Sequence, residues 1–72
     1  MDEYILLKET ALLLKQQKHS DAAHLYQKIG EIFERKNDFQ KALAAYHKSS
    51  SLLPHPDFYL SLARVYEKSH QA

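Results

Sequence analysis

One signature occurs twice in this chain, 33 residues apart. Tyr26-x-x-Ile29-Gly30-x-x-Phe33 returns as Tyr59-x-x-Leu62-Ala63-x-x-Tyr66: an aromatic, a large aliphatic, a small residue and a second aromatic. Separations of three, four and seven put all four positions on one face of a helix. A recurrence of this length belongs to stacked helical hairpins, in which each unit buries its apolar face against the next. Such arrays usually build surfaces that hold other molecules and not pockets for chemistry.

The rest of the chain supports helix throughout. It has one Gly and two Pro in 72 residues, and Ala, Leu, Lys, Gln and Glu are abundant. Start and stop signals place four helices. The first is predicted from Glu3 to Gln17 with Asp2 as N-cap. Tyr4, Leu7, Ala11 and Leu14 form its stripe, and Ile5, Leu6, Leu12 and Leu13 widen the face enough to predict contacts on two sides. The second, Asp21 to Lys36, is capped by Ser20 or Asp21 and carries Ala22, Leu25, Tyr26, Ile29, Ile32 and Phe33. Asp38 caps a third helix running to Leu52, with Phe39, Ala42, Leu43, Tyr46 and Leu53 at helical spacing. Pro54 disfavours helix at Leu53, and Pro56 suits the first turn of a fourth helix from Asp57 to Ser69. Its apolar side is Phe58, Tyr59, Leu62, Ala63, Val65 and Tyr66. Short connections make neighbouring helices antiparallel, and no linker divides the chain, so residues 1–72 form a single domain.

Composition excludes several classes of function. Ten Lys and Arg against nine Asp and Glu leave a net charge of +1, with the basic residues scattered, so no nucleic-acid footprint is present. No apolar run approaches the roughly 18 residues of a membrane span. Met1-Asp2-Glu3 is acidic, unlike the positive start of a secretory leader. With no Cys, neither disulfides nor thiolate–metal sites can support so small a core, and a cytoplasmic setting is expected. Among the five histidines, His19 and His24 are five apart and off a common face, while His47, His55 and His70 are scattered; no metal site is expected. Gly30 is the only glycine, so no phosphate-cradling loop exists. The serines at 49–51 close a helix before a proline, and Glu31 and Glu34 at i,i+3 read as a solvated face. Neither enzyme activity nor a cofactor is expected.

Between Tyr26 and Pro54 the special residues follow a fixed order: Tyr26, Ile29, Gly30, Phe33, Ala42, Tyr46, Ser49 and Pro54. This order resembles the tetratricopeptide repeat, whose usual residues are Trp, Leu, Gly, Tyr, Ala, Phe, Ala and Pro. Only Ser49 departs in kind, and it is still small. Gly30 and Ala42 would mark the closest approach of two antiparallel helices, with Tyr26, Phe33 and Tyr46 filling the space around it. Pro54 would end the hairpin. The resemblance covers a complete repeat over 23–56 and the first helix of another over 57–70. Residues 1–20 match by position only, as a preceding or capping helix, since Lys8 falls where Ala42 stands. It implies an all-α, right-handed α-solenoid fragment of four helices. The aromatics in register are expected to fill the core; Tyr4 and Phe58, outside it, are expected to be exposed.

In that family the first helix of each repeat lines a concave groove for peptides. Carried over by register, the groove positions are His24, Gln27, Glu31 and Glu34 on the second helix and Leu60, Arg64 and Glu67 on the fourth. Members that clamp a terminal carboxylate use Lys and Asn there; Gln27 and Glu31 stand in their place, so that clamp is not expected. The resemblance therefore implies a scaffold or adaptor for a protein or peptide partner. A second reading is self-association into a homodimer through an uncovered face of the fourth helix, with Phe58, Leu60 and Val65 exposed there. A competing fold shares the phrase acid–aromatic–x–x–Ala–x–x–x–Tyr, here Asp38-Phe39 through Ala42 and Tyr46. It is the three-helix microtubule-interacting-and-trafficking type, which binds short helical motifs but leaves the recurrence and Pro54 unexplained.

Overall fold

The computed structural model describes residues 3–70, and the Asp2 cap lies outside them. The fold is all-α: α1 Glu3–Lys15, α2 His19–Arg35, α3 Phe39–Leu52 and α4 Pro56–Ser69. Packing runs between consecutive helices, α1 on α2, α2 on α3 and α3 on α4. The result is a slab measuring 39 × 26 × 13 Å, so α2 and its neighbours present two broad faces.

Two turns of the same design set this arrangement. Gln17 and Asn37 adopt the left-handed conformation, at φ 59° and 60°. In the first turn Lys18 N–H donates to Leu13 O at 2.8 Å and Gln17 N–H to Leu14 O at 3.0 Å. In the second, Asp38 N–H donates to Phe33 O at 2.9 Å and Asn37 N–H to Glu34 O at 3.0 Å. This paired closure satisfies carbonyls that a helix end would leave bare, and it normally uses Gly at the left-handed position.

The helix starts divide by capping. Asp38 caps α3 as expected, accepting from Lys41 N–H at 3.4 Å. At α4, His55 Nδ1 accepts from Asp57 N–H at 3.2 Å and Pro56 occupies the first helical position. α2 begins two residues earlier than its sequence predicts, at His19, with Lys18 before it and no side-chain cap. Lys18 closes the preceding turn and leads directly into α2, so Ser20 and Asp21 fall inside the first turn. There the Asp21 carboxylate faces the positive end of the helix dipole.

The core is drawn from all four helices, and of the recurrent residues Ile29 and Leu62 belong to its buried clusters. Ala42, Tyr46, Leu62 and Val65 make one buried cluster, and Leu6, Ile29 and Ala45 make another. The Tyr46 ring packs against Gly30: a Cβ there would stand 2.5 Å from Tyr46 Cε1 and 2.7 Å from Cδ1. The small residue at 30 does mark a close approach, but what stands against it is the Tyr46 ring and not Ala42 as expected.

At both ends of the chain the buried faces differ from expectation. α1 turns Leu6 and Thr10 inward with Leu13 and Leu14 half-buried, while Leu7 and Ala11 face outward; Tyr4 is exposed, as expected. Thr10 can be buried because its hydroxyl donates to Leu6 O at 2.7 Å. On α4, Phe58 (5 % exposed) and Val65 are buried, contrary to the exposed face expected for them. Phe58 sits between the rings of His24 and His55, at centroid distances of 5.6 and 5.3 Å. The outward residues of α4 are instead Tyr59, Leu60, Ala63 and Tyr66. On α2 the positions matching Tyr59, Ala63 and Tyr66 meet α3; among the described residues no helix takes that place beside α4.

Candidate functional site

The positions expected to line a groove on α2 and α4 do lie together, but largely as partners of one another. Glu34 is the hub. Arg64 Nε and Nη2 each donate to its carboxylate at 2.9 Å, Lys68 Nζ at 2.7 Å and the Tyr46 hydroxyl at 2.8 Å. The bidentate arginine contact spans 30 residues of sequence and fastens α4 to α2. Hydrogen bonding from Arg64, reinforced by Lys68 and Tyr46 and opposed by burial, lowers the Glu34 pKa to about 2. Burial, followed by the Glu34 carboxylate, pushes the Tyr46 phenol well above its ordinary value. The Arg64 guanidinium is raised in turn by its bond to Glu34.

Gln27 corrects the groove assignment. It is buried, not presented: Nε2 donates to Ser49 Oγ, and Oε1 accepts from Ser61 Oγ at 3.3 Å. One amide thus ties α2 to both α3 and α4, which explains a small polar residue at 49: Ser49 supplies a hydroxyl where an alanine would leave the amide nitrogen unpaired. His24, Glu31, Leu60, Arg64 and Glu67 remain on the surface. Glu31, Glu34, Arg35, Arg64 and Lys68 border a shallow polar cleft of about 430 Å³. Its central carboxylate is already matched.

The opposite face carries a different feature, which the sequence reading did not anticipate as a site. α1 and α3 flank α2 and leave a groove of about 310 Å³ between them. Its floor is Tyr26, Ile29 and Phe33 of α2, and its walls are Tyr4 and Leu7 of α1 and Ala44 and Ala45 of α3. A second depression of about 300 Å³ extends it past Tyr26 and Lys48 to Leu14 and Leu52. Of the α1 stripe Tyr4, Leu7, Ala11 and Leu14, three residues (Tyr4, Leu7 and Leu14) therefore line an open groove. Lys41 Nζ lies 5.5 Å from the centroid of the Phe33 ring, and Lys48 Nζ lies 5.7 Å from that of Tyr26. The available signal was in α3: two lysines seven apart with three alanines between them, on a helix without a single acid.

Among the described residues no group of three or more His, Cys, Asp or Glu could hold a metal ion. No described helix is long and apolar enough to cross a membrane. His47 Nε2 lies 2.8 Å from the Tyr66 hydroxyl with the rings edge to face, a contact that ties α3 to α4. No family model, curated protein or solved structure matches the chain.

Proposed function

We propose that this chain is a protein-interaction module of tetratricopeptide-like design, a scaffold or adaptor with no chemistry of its own, working in the cytoplasm. The observation that carries this reading is the open groove between α1 and α3. Tyr4 is 70 % exposed there and Leu7 39 % exposed, beside half-buried Tyr26 and Phe33. Apolar side chains gathered in a concavity gain about 25 cal/mol for each Å² that a partner removes from water. The test is selection of a displayed random-peptide library against the folded chain. Enriched peptides are expected to share a spaced apolar pattern and to shift the amide resonances of Ile29, Ala44, Ala45 and Lys48. Failure of any sequence to enrich above background would overturn the reading.

A second reading, self-association, is favoured by α4. Tyr59 (52 % exposed), Leu60 (64 %) and Tyr66 lie outward on it. If that surface pairs two chains, the mass from light scattering exceeds 8.4 kDa at micromolar concentration and falls back on dilution. A mass of 8.4 kDa at all concentrations leaves the interaction reading alone.

A further inference from the structure

We propose that the groove between α1 and α3 receives an amphipathic helix from a partner protein, with acidic residues along both edges of that helix's apolar face. The proposal rests on the interaction reading and adds the chemistry of the partner.

Shape points to a helix. α1 and α3 are each antiparallel to α2, so they run in the same direction with the groove between them. From Tyr4 to Leu14 the α1 wall rises roughly 15 Å, or about three helical turns. Ala44 and Ala45 keep the α3 wall low, which lets an incoming backbone approach closely. The floor and walls are built from helices whose own backbone groups are already bonded. An extended peptide lying over them would lose water from its amides and gain no partners, whereas a helix arrives with those groups satisfied.

Charge specifies the edges. Lys41 and Lys48 are seven apart, so they lie two turns apart along one line of α3, and α3 has no acidic residue between 39 and 52. Lys8 and Lys15, also seven apart and both exposed, border the Tyr4–Leu7–Leu14 stripe on the outer edge of α1. Glu9 projects from the far side of α1 by the same helical geometry. Lys41 has one loose carboxylate neighbour, Asp38 at 3.8 Å, and Lys48 has none among the described residues. Their ammonium groups stand above the rings of Phe33 and Tyr26. A helix entering the groove would displace the two ammonium groups from these rings toward its edge. It would bring carboxylates to cations that have almost no other carboxylate partner.

The test uses synthetic helical peptides of about 18 residues, five turns long. One carries a leucine stripe flanked by Glu on both edges; a second has every Glu replaced by Lys; a third has a central Pro. Binding is read by fluorescence anisotropy against the full chain. The Glu peptide is expected to bind about tenfold more tightly than the Lys peptide, and the advantage is expected to shrink as salt is raised. The Pro peptide is expected to lose binding. Lys41→Glu with Lys48→Glu is expected to abolish the preference, because Lys8 and Lys15 still border the other edge, while the thermal melt stays unchanged, since both residues are exposed. Ala44→Gln is expected to weaken both helices by crowding the wall. Equal binding of the Glu and Lys peptides overturns the proposal, as does a preference that survives charge reversal. So does binding that shifts the Arg64 and Lys68 amides in place of Ala44 and Lys48. If library peptides bind and the Glu helix does not, this proposal fails and the interaction reading stands. If nothing binds, both fail.

Discussion

The two sides of α2 are finished in opposite ways. Toward α4, Glu34 gathers Arg64, Lys68 and the Tyr46 hydroxyl, and Gln27 joins Ser49 to Ser61. Toward the cleft between α1 and α3, Tyr26, Ile29 and Phe33 form an apolar floor with two lysines above it. A polar surface whose donors and acceptors already answer one another gains little from a partner, because each new bond replaces an old one. An apolar surface left partly wet gains from any fitting cover. The face with the more conspicuous charges is therefore the structural one, and the plainer face is the one with something to offer.

The sharpest way to break this contrast is to open the contact on which the structural face depends. Gly30→Leu drives a side chain into the buried Tyr46 ring, whose hydroxyl is held by Glu34. After allowing for the better helix propensity of leucine, the loss is expected to be about 2–3 kcal/mol in urea denaturation. A melt that is unchanged or raised would show that Tyr46 is not seated on Gly30.

Next in size is Glu34→Ala, expected to cost about 1–2 kcal/mol. The figure stays modest because Arg64 and Lys68 are about half-exposed and return to water. The pH dependence has a definite sign. The folded pKa of Glu34 is about 2 against an ordinary value of 4.5, so its contribution is fully present above about 4.5. It is lost as pH falls from there toward 2, and Glu34→Gln should remove that part of the acid destabilisation. Acid titration of stability in the two proteins, followed by circular dichroism, checks this.

A smaller, opposite effect is expected at the first turn. Gln17 holds a left-handed conformation without the short side chain that makes Asn37 tolerant of it. Gln17→Gly is therefore expected to stabilise by about 0.5–1 kcal/mol, less than the strain it removes because glycine also loosens the unfolded chain. Smallest of all should be changes on the open face. Lys48→Gln and Ala44→Gln are expected to shift stability by no more than about 0.5 kcal/mol. A large loss from either would make that face part of the fold and erase the contrast.

Much of this was legible in the chain. The pattern from Tyr26 to Pro54 places the α2–α3 hairpin and a close approach at Gly30, with Tyr46 beside it, but it names Ala42 as the facing residue where the Tyr46 ring stands. Asp38 and Pro56 mark their helix starts by local chemistry alone. The errors lie where tertiary neighbours decide. Nothing in α1 says which part of an apolar face that wide turns inward, and burial of Thr10 depends on a bond to its own helix. Phe58 reads as surface until His24 and His55 are brought around it. Gln27 looks like an ordinary exposed amide until α3 and α4 deliver one serine each.

The packing of each helix on the next has a consequence for the order in which the chain comes apart. α1 holds to the rest chiefly through Leu6, Thr10 and the half-buried leucines, a small attachment at the end of the series. Such an element can swing off while α2, α3 and α4 stay together. The groove exists only while α1 is in place, since Tyr4 and Leu7 are one of its walls. A partner seated there would act as a clasp on the terminal helix. Amide protons of α1 should then exchange with solvent earliest in the free chain and slow most when the groove is filled.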